Sequence, residues 1–191
     1  RPSLHTFAFS PTGQFKIHYD TLGIDAPSLI DNNNNNIPDY VDEVGIIADS
    51  TRYILVDEMG FKSEIGDDDG IYDIYIDDRG VGSYGFTAFD DQNIAGASYM
   101  LIDNEYEESD YYTSGINAMR LTVAHEFFHA IQRSYRAYPS VNTSFFYEMS
   151  STWIEDVIVP DGNDYLYWVD DFFEDIDQDI DDTDGYSIAL F

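Results

Sequence analysis

Between Ile116 and Tyr135 the chain carries its longest helical pattern, and the same stretch holds histidines at 125 and 129. Ile116, Met119, Val123, Phe127, Ala130 and Ile131 recur at the spacing of a core-facing helix surface. His125 and His129 stand four apart, which puts both imidazoles on one face of that helix. The helix therefore needs a core on one side and a polar cleft on the other, and the rest of the chain has to supply both.

The other patterns fit that demand. Phe15 to Tyr19 alternates as Phe-Lys-Ile-His-Tyr and predicts a strand, as do Ile71 to Ile76 and Ala97 to Ile102. Tyr40 to Met59 has helical spacing and ends at Gly60, a C-cap residue. Residues 79–96, rich in glycine, read as a loop. A second helix is expected from Ser144 to Val157, ended by Pro160, and a third over residues 164–173. Strands early and helices late make an α+β order, an N-terminal mixed sheet followed by the long helix and further helices. A length of 191 residues suits one domain, with residues 1–113 as a sheet-containing lobe and 114–191 mainly helical. The sequence stops inside an apolar run, Ile188-Ala189-Leu190-Phe191, so a natural chain truncated at its C-terminus is expected.

Charge excludes whole classes of partner. Thirty-eight Asp and Glu face eight Lys and Arg, a net charge of −30, which repels a nucleic-acid backbone and an anionic lipid surface. No apolar run is long enough for a membrane-spanning helix, so no membrane insertion is expected. Sixteen Tyr, thirteen Phe and two Trp provide the apolar faces of a globular core, and a monomer is expected. Such acidity fits bound calcium or a surface in salty surroundings, and both point outside the cytosol. There is no cysteine, which by itself decides nothing about compartment.

His125-Glu126-Phe127-Phe128-His129 has the form H-E-x-x-H. Two imidazoles one turn apart reach one zinc ion, and Glu126 faces the same cleft, where it acts as general base toward a water the ion activates. A three-histidine site of the metzincin kind needs Gly at 132 and His at 135, which hold Gln132 and Tyr135. No histidine follows 129, so the third protein ligand must be a carboxylate, with Glu148 and Glu155 as candidates on the next helix.

At this point the chain resembles the gluzincins, zinc metallopeptidases whose third ligand is a Glu on a helix downstream of H-E-x-x-H. Residues 130 to 147 separate His129 from Glu148, a spacing common in that group, which favours Glu148. Glu155, two helical turns on, is then the candidate to orient a ligand histidine through its second ring nitrogen. The resemblance implies a zincin-like catalytic domain acting as an endopeptidase on a protein or peptide substrate. It also implies that the strand before the zinc helix, Ala97 to Ile102, is an edge that pairs with extended substrate. Thermolysin-like members use a later histidine as oxyanion donor. None exists here, so Tyr186 is the first choice as a catalytic donor, with Tyr147, Tyr135 and Arg133 as alternatives.

Asp31, Asn33, Asn35, Ile37 (through its carbonyl), Asp39 and Asp42 follow the ligand spacing of a calcium loop. Asn36 takes the usual glycine position, which asparagine tolerates. The phrase running from Asn36-Ile37-Pro38-Asp39 to Val44 also resembles an element of secreted bacterial metallopeptidases, in which D-x-N-x-N-G-I-P-D-Y-V-D precedes a His-Glu-Phe-Phe-His-Ala helix. That likeness covers residues 31–44, 123–132 and the Glu148 region, and implies export, calcium and proteolysis. Asp67, Asp69 and Asp73, and further on Asp177, Asp179, Asp181 and Asp184, form weaker acidic clusters. Two other functions fit the same composition: a calcium-stabilised acidic surface or adhesion module with an inactive or structural H-E-x-x-H, and a zinc hydrolase of non-peptide amides.

Overall fold

The computed structural model describes residues 1–90, 96–107, 113–136, 144–167, 169 and 173. It is an α+β protein. Five strands form one mixed sheet: β1 (Thr6–Phe9), β2 (Phe15–Tyr19), β3 (Tyr72–Asp77), β4 (Gly85–Phe89) and β5 (Ser98–Asp103), in the order β1-β2-β3-β5-β4. β2, β3 and β5 run parallel, and the outer strands β1 and β4 are antiparallel to their neighbours. The helices are α1 (Asp39–Arg52), which continues as a wider π-type stretch over Tyr53–Glu58, α2 (Gly115–Tyr135) and α3 (Ser144–Ile158). Gly60, at φ 79°, lies just past the end of the π-type stretch, as its sequence position predicts.

Alternation in the strands decides which face is covered. Phe15, Ile17 and Tyr19 of β2, Tyr72, Ile74 and Ile76 of β3, and Met100 and Ile102 of β5 are buried on one face. Against them pack Val41, Val44 and Ala48 of α1 and Met119, Val123, Phe127 and Ile131 of α2. Phe127, the middle residue of the motif, meets Phe15 and Tyr72 edge-on at 5.2 and 5.7 Å between ring centres. It projects about 200° round the helix from His125, so burying it turns the histidines away from the sheet. Burial of such a ring contributes about 2–3 kcal/mol and fixes the helix's rotation.

Two expectations about the sheet need correction. β4 lies inside the stretch that read as a glycine-rich loop. It, rather than the strand before the long helix, is the edge: β5 is flanked by β3 and β4. Gly85, Thr87 and Phe89 face α2 from that edge, over Thr122, Glu126 and Arg133 respectively. The missing side chain at Gly85 permits the approach, since a Cβ there would stand 2.5 Å from Thr122 Cγ2 and 3.2 Å from Glu126 Cγ. Of the third predicted helix, residues 164–167, 169 and 173 are described, and 166, 167, 169 and 173 are helical. Among the described residues no helix is long and apolar enough to cross a membrane.

Candidate metal centre

α2 and α3 pack side by side and bring His125, His129 and Glu148 together. Nε2 of His125 is 3.1 Å from Nε2 of His129, and Glu148 Oε2 is 3.2 and 3.4 Å from the same two nitrogens. Ligands about 2.0–2.1 Å from a tetrahedral ion stand about 3.3–3.4 Å from one another, so this triangle has the dimensions of a metal site. The group can hold a metal ion.

His125 is clamped at both ends by one helix. Glu155 Oε1 lies 2.6 Å from its Nδ1, while Glu148, two turns earlier on α3, faces its Nε2. A carboxylate accepts only, so Nδ1 carries a proton toward Glu155, and Nε2, facing Glu148 in the triangle, is the nitrogen that would give its lone pair to an ion. On His129, Nδ1 meets Gln132 Oε1 at 2.8 Å and Ser151 Oγ at 3.2 Å. The electrostatics ask for positive charge at the centre. Burial disfavours the charged form of His125, but hydrogen bonds to Glu148 and Glu155 outweigh it and raise its pKa well above the ordinary value. His129 is raised in the same sense, with Glu148 overcoming burial. Burial also opposes the charged form of Glu148, yet the two histidines hold its pKa below the usual carboxylate range. Burial pushes Glu155 up, against the pull of His125.

Glu126 is buried beside this triangle, and the Thr87 hydroxyl lies 2.8 Å from its Oε2 and 2.7 Å from its backbone carbonyl. A cleft of about 260 Å³ opens here, lined by Gly85, Thr87, Glu126, His129, Tyr147 and Glu148, with Arg133 and Arg136 at its margin. Tyr147 and Arg133 thus reach the cleft, while Tyr135, whose hydroxyl accepts the backbone N–H of Lys62 at 2.8 Å, is not in its lining. Tyr186 lies outside the described residues.

The Asn-rich loop folds on its own acidic residues. Asp31 accepts the backbone N–H groups of Asn35 and Asn36 at 3.2 and 2.9 Å, and Asp42 Oδ2 receives the side-chain amides of Asn33 and Asn35 at 2.9 and 2.8 Å. Asn36 has φ 68°, the left-handed conformation its place in the loop demands. Ile37 donates its N–H to Asn35 Oδ1 at 2.8 Å. Asp39 accepts the backbone N–H of Asn32 at 3.1 Å. Asp67 and Asp73 are engaged by the guanidinium of Arg1, together with Asp90, and Asp69 lies 3.8 Å from the Lys16 ammonium, so part of the charge of that cluster is offset from within the chain. Asp177, Asp179, Asp181 and Asp184 lie outside the described residues.

Thr87, Gly85, Gln132 and Ser151 were not singled out as site residues by sequence. Gly85 carried a signal in its glycine-rich surroundings, but the others act through partners that only the tertiary fold supplies. Compared with known proteins, the chain matches no family model, no curated protein and no solved structure.

Proposed function

We propose that the protein is a zinc-dependent endopeptidase of zincin-like design, exported from the cell and acting on protein or peptide substrates. The observation that carries the reading is the convergence of two imidazole nitrogens and one carboxylate oxygen at 3.1–3.4 Å, with the buried Glu126 carboxylate beside them. Two histidines and a glutamate are a ligand set of hydrolytic zinc, which when bound supplies a Lewis acid that brings the pKa of water toward neutrality.

The chain's own residues do the rest. Glu126 takes the proton of the attacking water and passes it to the leaving amine. Thr87 holds the carboxylate in place. The outer edge of β4 offers its backbone N–H and C=O groups to an extended peptide, in the manner of strand addition. Glu155 orients His125, and a Tyr or Arg faces the developing oxyanion: Tyr147 or Arg133 from the cleft lining, or Tyr186, which lies outside the described residues. Calcium in the Asp31 loop, held by Asp31, Asn33, Asn35, the Ile37 carbonyl, Asp39 and Asp42, would stabilise the start of α1. Export is supported by this loop and by the acidic surface. An adhesion module would have no use for a buried carboxylate poised next to three metal-ligand atoms.

The test pairs elemental analysis of zinc-loaded protein with cleavage of casein by the wild type and Glu126→Gln. One zinc per chain in both proteins is expected, with activity in the wild type and a loss of about 10²–10⁴-fold in the variant. Wild type that takes up no zinc, or a variant as active as wild type, would sink the reading.

A further inference from the structure

We propose that Gln132 is the positioning residue that fixes the proton on His129 Nδ1, and that its own orientation is dictated by helix α3. The inference rests on the reading of His129 as a metal ligand only for its consequence; the proton position follows from hydrogen bonding alone.

The amide nitrogen of Gln132 lies 2.9 Å from the Tyr147 carbonyl oxygen and 2.9 Å from Ser150 Oγ. A carbonyl only accepts. The one proton of Ser150 is directed to the Phe146 carbonyl at 2.6 Å, so its oxygen accepts from Gln132 as well. Two acceptors require the NH₂ end of the amide on that side. Oε1 is then turned toward His129 Nδ1 at 2.8 Å, and an amide oxygen has only lone pairs to offer. Nδ1 must therefore carry the hydrogen. In a neutral imidazole that leaves Nε2 with its lone pair, aimed at the position shared with His125 and Glu148. Ser151 Oγ, at 3.2 Å, accepts a share of the same N–H.

The two histidines are thus oriented from one helix by different chemistry. A carboxylate, Glu155, stands behind His125; a neutral amide stands behind His129. The amide gives direction without adding a further negative charge to a site that already holds Glu126, Glu148 and Glu155. It also ties the first turns of α3 to the proton position on α2, so a shift of α3 would disturb ligand geometry at both histidines.

Long-range ¹⁵N–¹H correlation spectra of the full chain, labelled at histidine, metal-free and at alkaline pH, read the tautomer directly. The expected wild-type result is Nδ1–H on His129. In Gln132→Leu the preference is lost and affinity for zinc alone, measured by competition with a chromophoric chelator, falls about 10–100-fold. Gln132→Glu, which keeps an acceptor toward Nδ1, keeps the tautomer. An Nε2–H tautomer in the wild type overturns the proposal without need of any variant, as does a Gln132→Leu protein with unchanged tautomer and affinity. The expected tautomer in a protein that binds no zinc would leave Gln132's role intact and refute the metal reading instead.

Discussion

The Thr87 hydroxyl stands 2.8 Å from the Glu126 carboxylate, reaching it from the edge strand of the sheet to the helix that carries both histidines. This single contact links the surface suited to hold an extended substrate to the group that would act as base. Thr87→Val keeps the shape and removes the hydroxyl, whose one proton is shared between the Glu126 carboxylate and the Glu126 backbone carbonyl at 2.7 Å. A bond to a charged group contributes about 1.5–3 kcal/mol, so a loss of about 10–100-fold in kcat/KM is expected, with zinc content unchanged. Full activity in Thr87→Val would show that Glu126 is held by something else.

Gly85 sets how close that strand can come. A Cβ there meets Thr122 Cγ2 at 2.5 Å and the Leu101 carbonyl oxygen at 3.1 Å. Gly85→Ala is expected to destabilise the protein by about 1–3 kcal/mol. The double variant Gly85→Ala, Thr122→Ser, which removes the methyl in the way, should recover part of that loss. Thermal unfolding of the three proteins checks both statements.

Glu155 supports His125 at 2.6 Å. Glu155→Ala should weaken zinc binding about 10–100-fold while leaving Glu148 to complete the ligand set. Titration against a competing chelator measures the change, and equal affinities would remove Glu155 from the site.

Calcium addition should raise the melting temperature of the wild type, and chelation should lower it. Asp42 gathers the amides of Asn33 and Asn35, so Asp42→Ala should abolish the calcium response and spare the zinc content. A wild-type melting temperature indifferent to calcium would dismiss the loop as a binding site.

Asp77 gives a pH dependence of stability. Burial raises its carboxyl pKa above 3.8, the Arg79 guanidinium pulls it back, and Asp25 and Asp103 push it up again. Its Oδ1 is buried without a hydrogen-bond partner among the described residues. The folded carboxyl holds its proton to higher pH than the unfolded one. Its contribution is therefore favourable below 3.8 and is lost as pH rises through the raised value. Asp77→Asn should be more stable than wild type at neutral pH, with the advantage shrinking toward acid. Denaturant midpoints at neutral and acid pH decide it.

The legibility of these features in sequence follows their range. α2 and its histidines were readable because a helical face is written in residues three and four apart, and the spacing from His129 to Glu148 lies along one stretch of chain. β2 showed itself by alternation, and β3 and β5 by their Ile- and Tyr-rich runs. β4 did not, because Gly85 obeys the need to pass close to Thr122 and so looks like a loop residue. β1 is only Thr6–Phe9, and its pairing with β2 rather than its composition makes it a strand. Gln132 could be recognised only once Tyr147 and Ser150 of another helix were beside it.

The link from His129 through an ion to Glu148 would close a loop over residues 130–147 in a chain that contains no cysteine. Such a link would do for these two helices what a disulfide does elsewhere, with one difference: it would form and break with metal supply instead of with redox state. Scarcity of zinc would then leave the same polypeptide both catalytically idle and unbraced at α3, and more open to digestion by its neighbours.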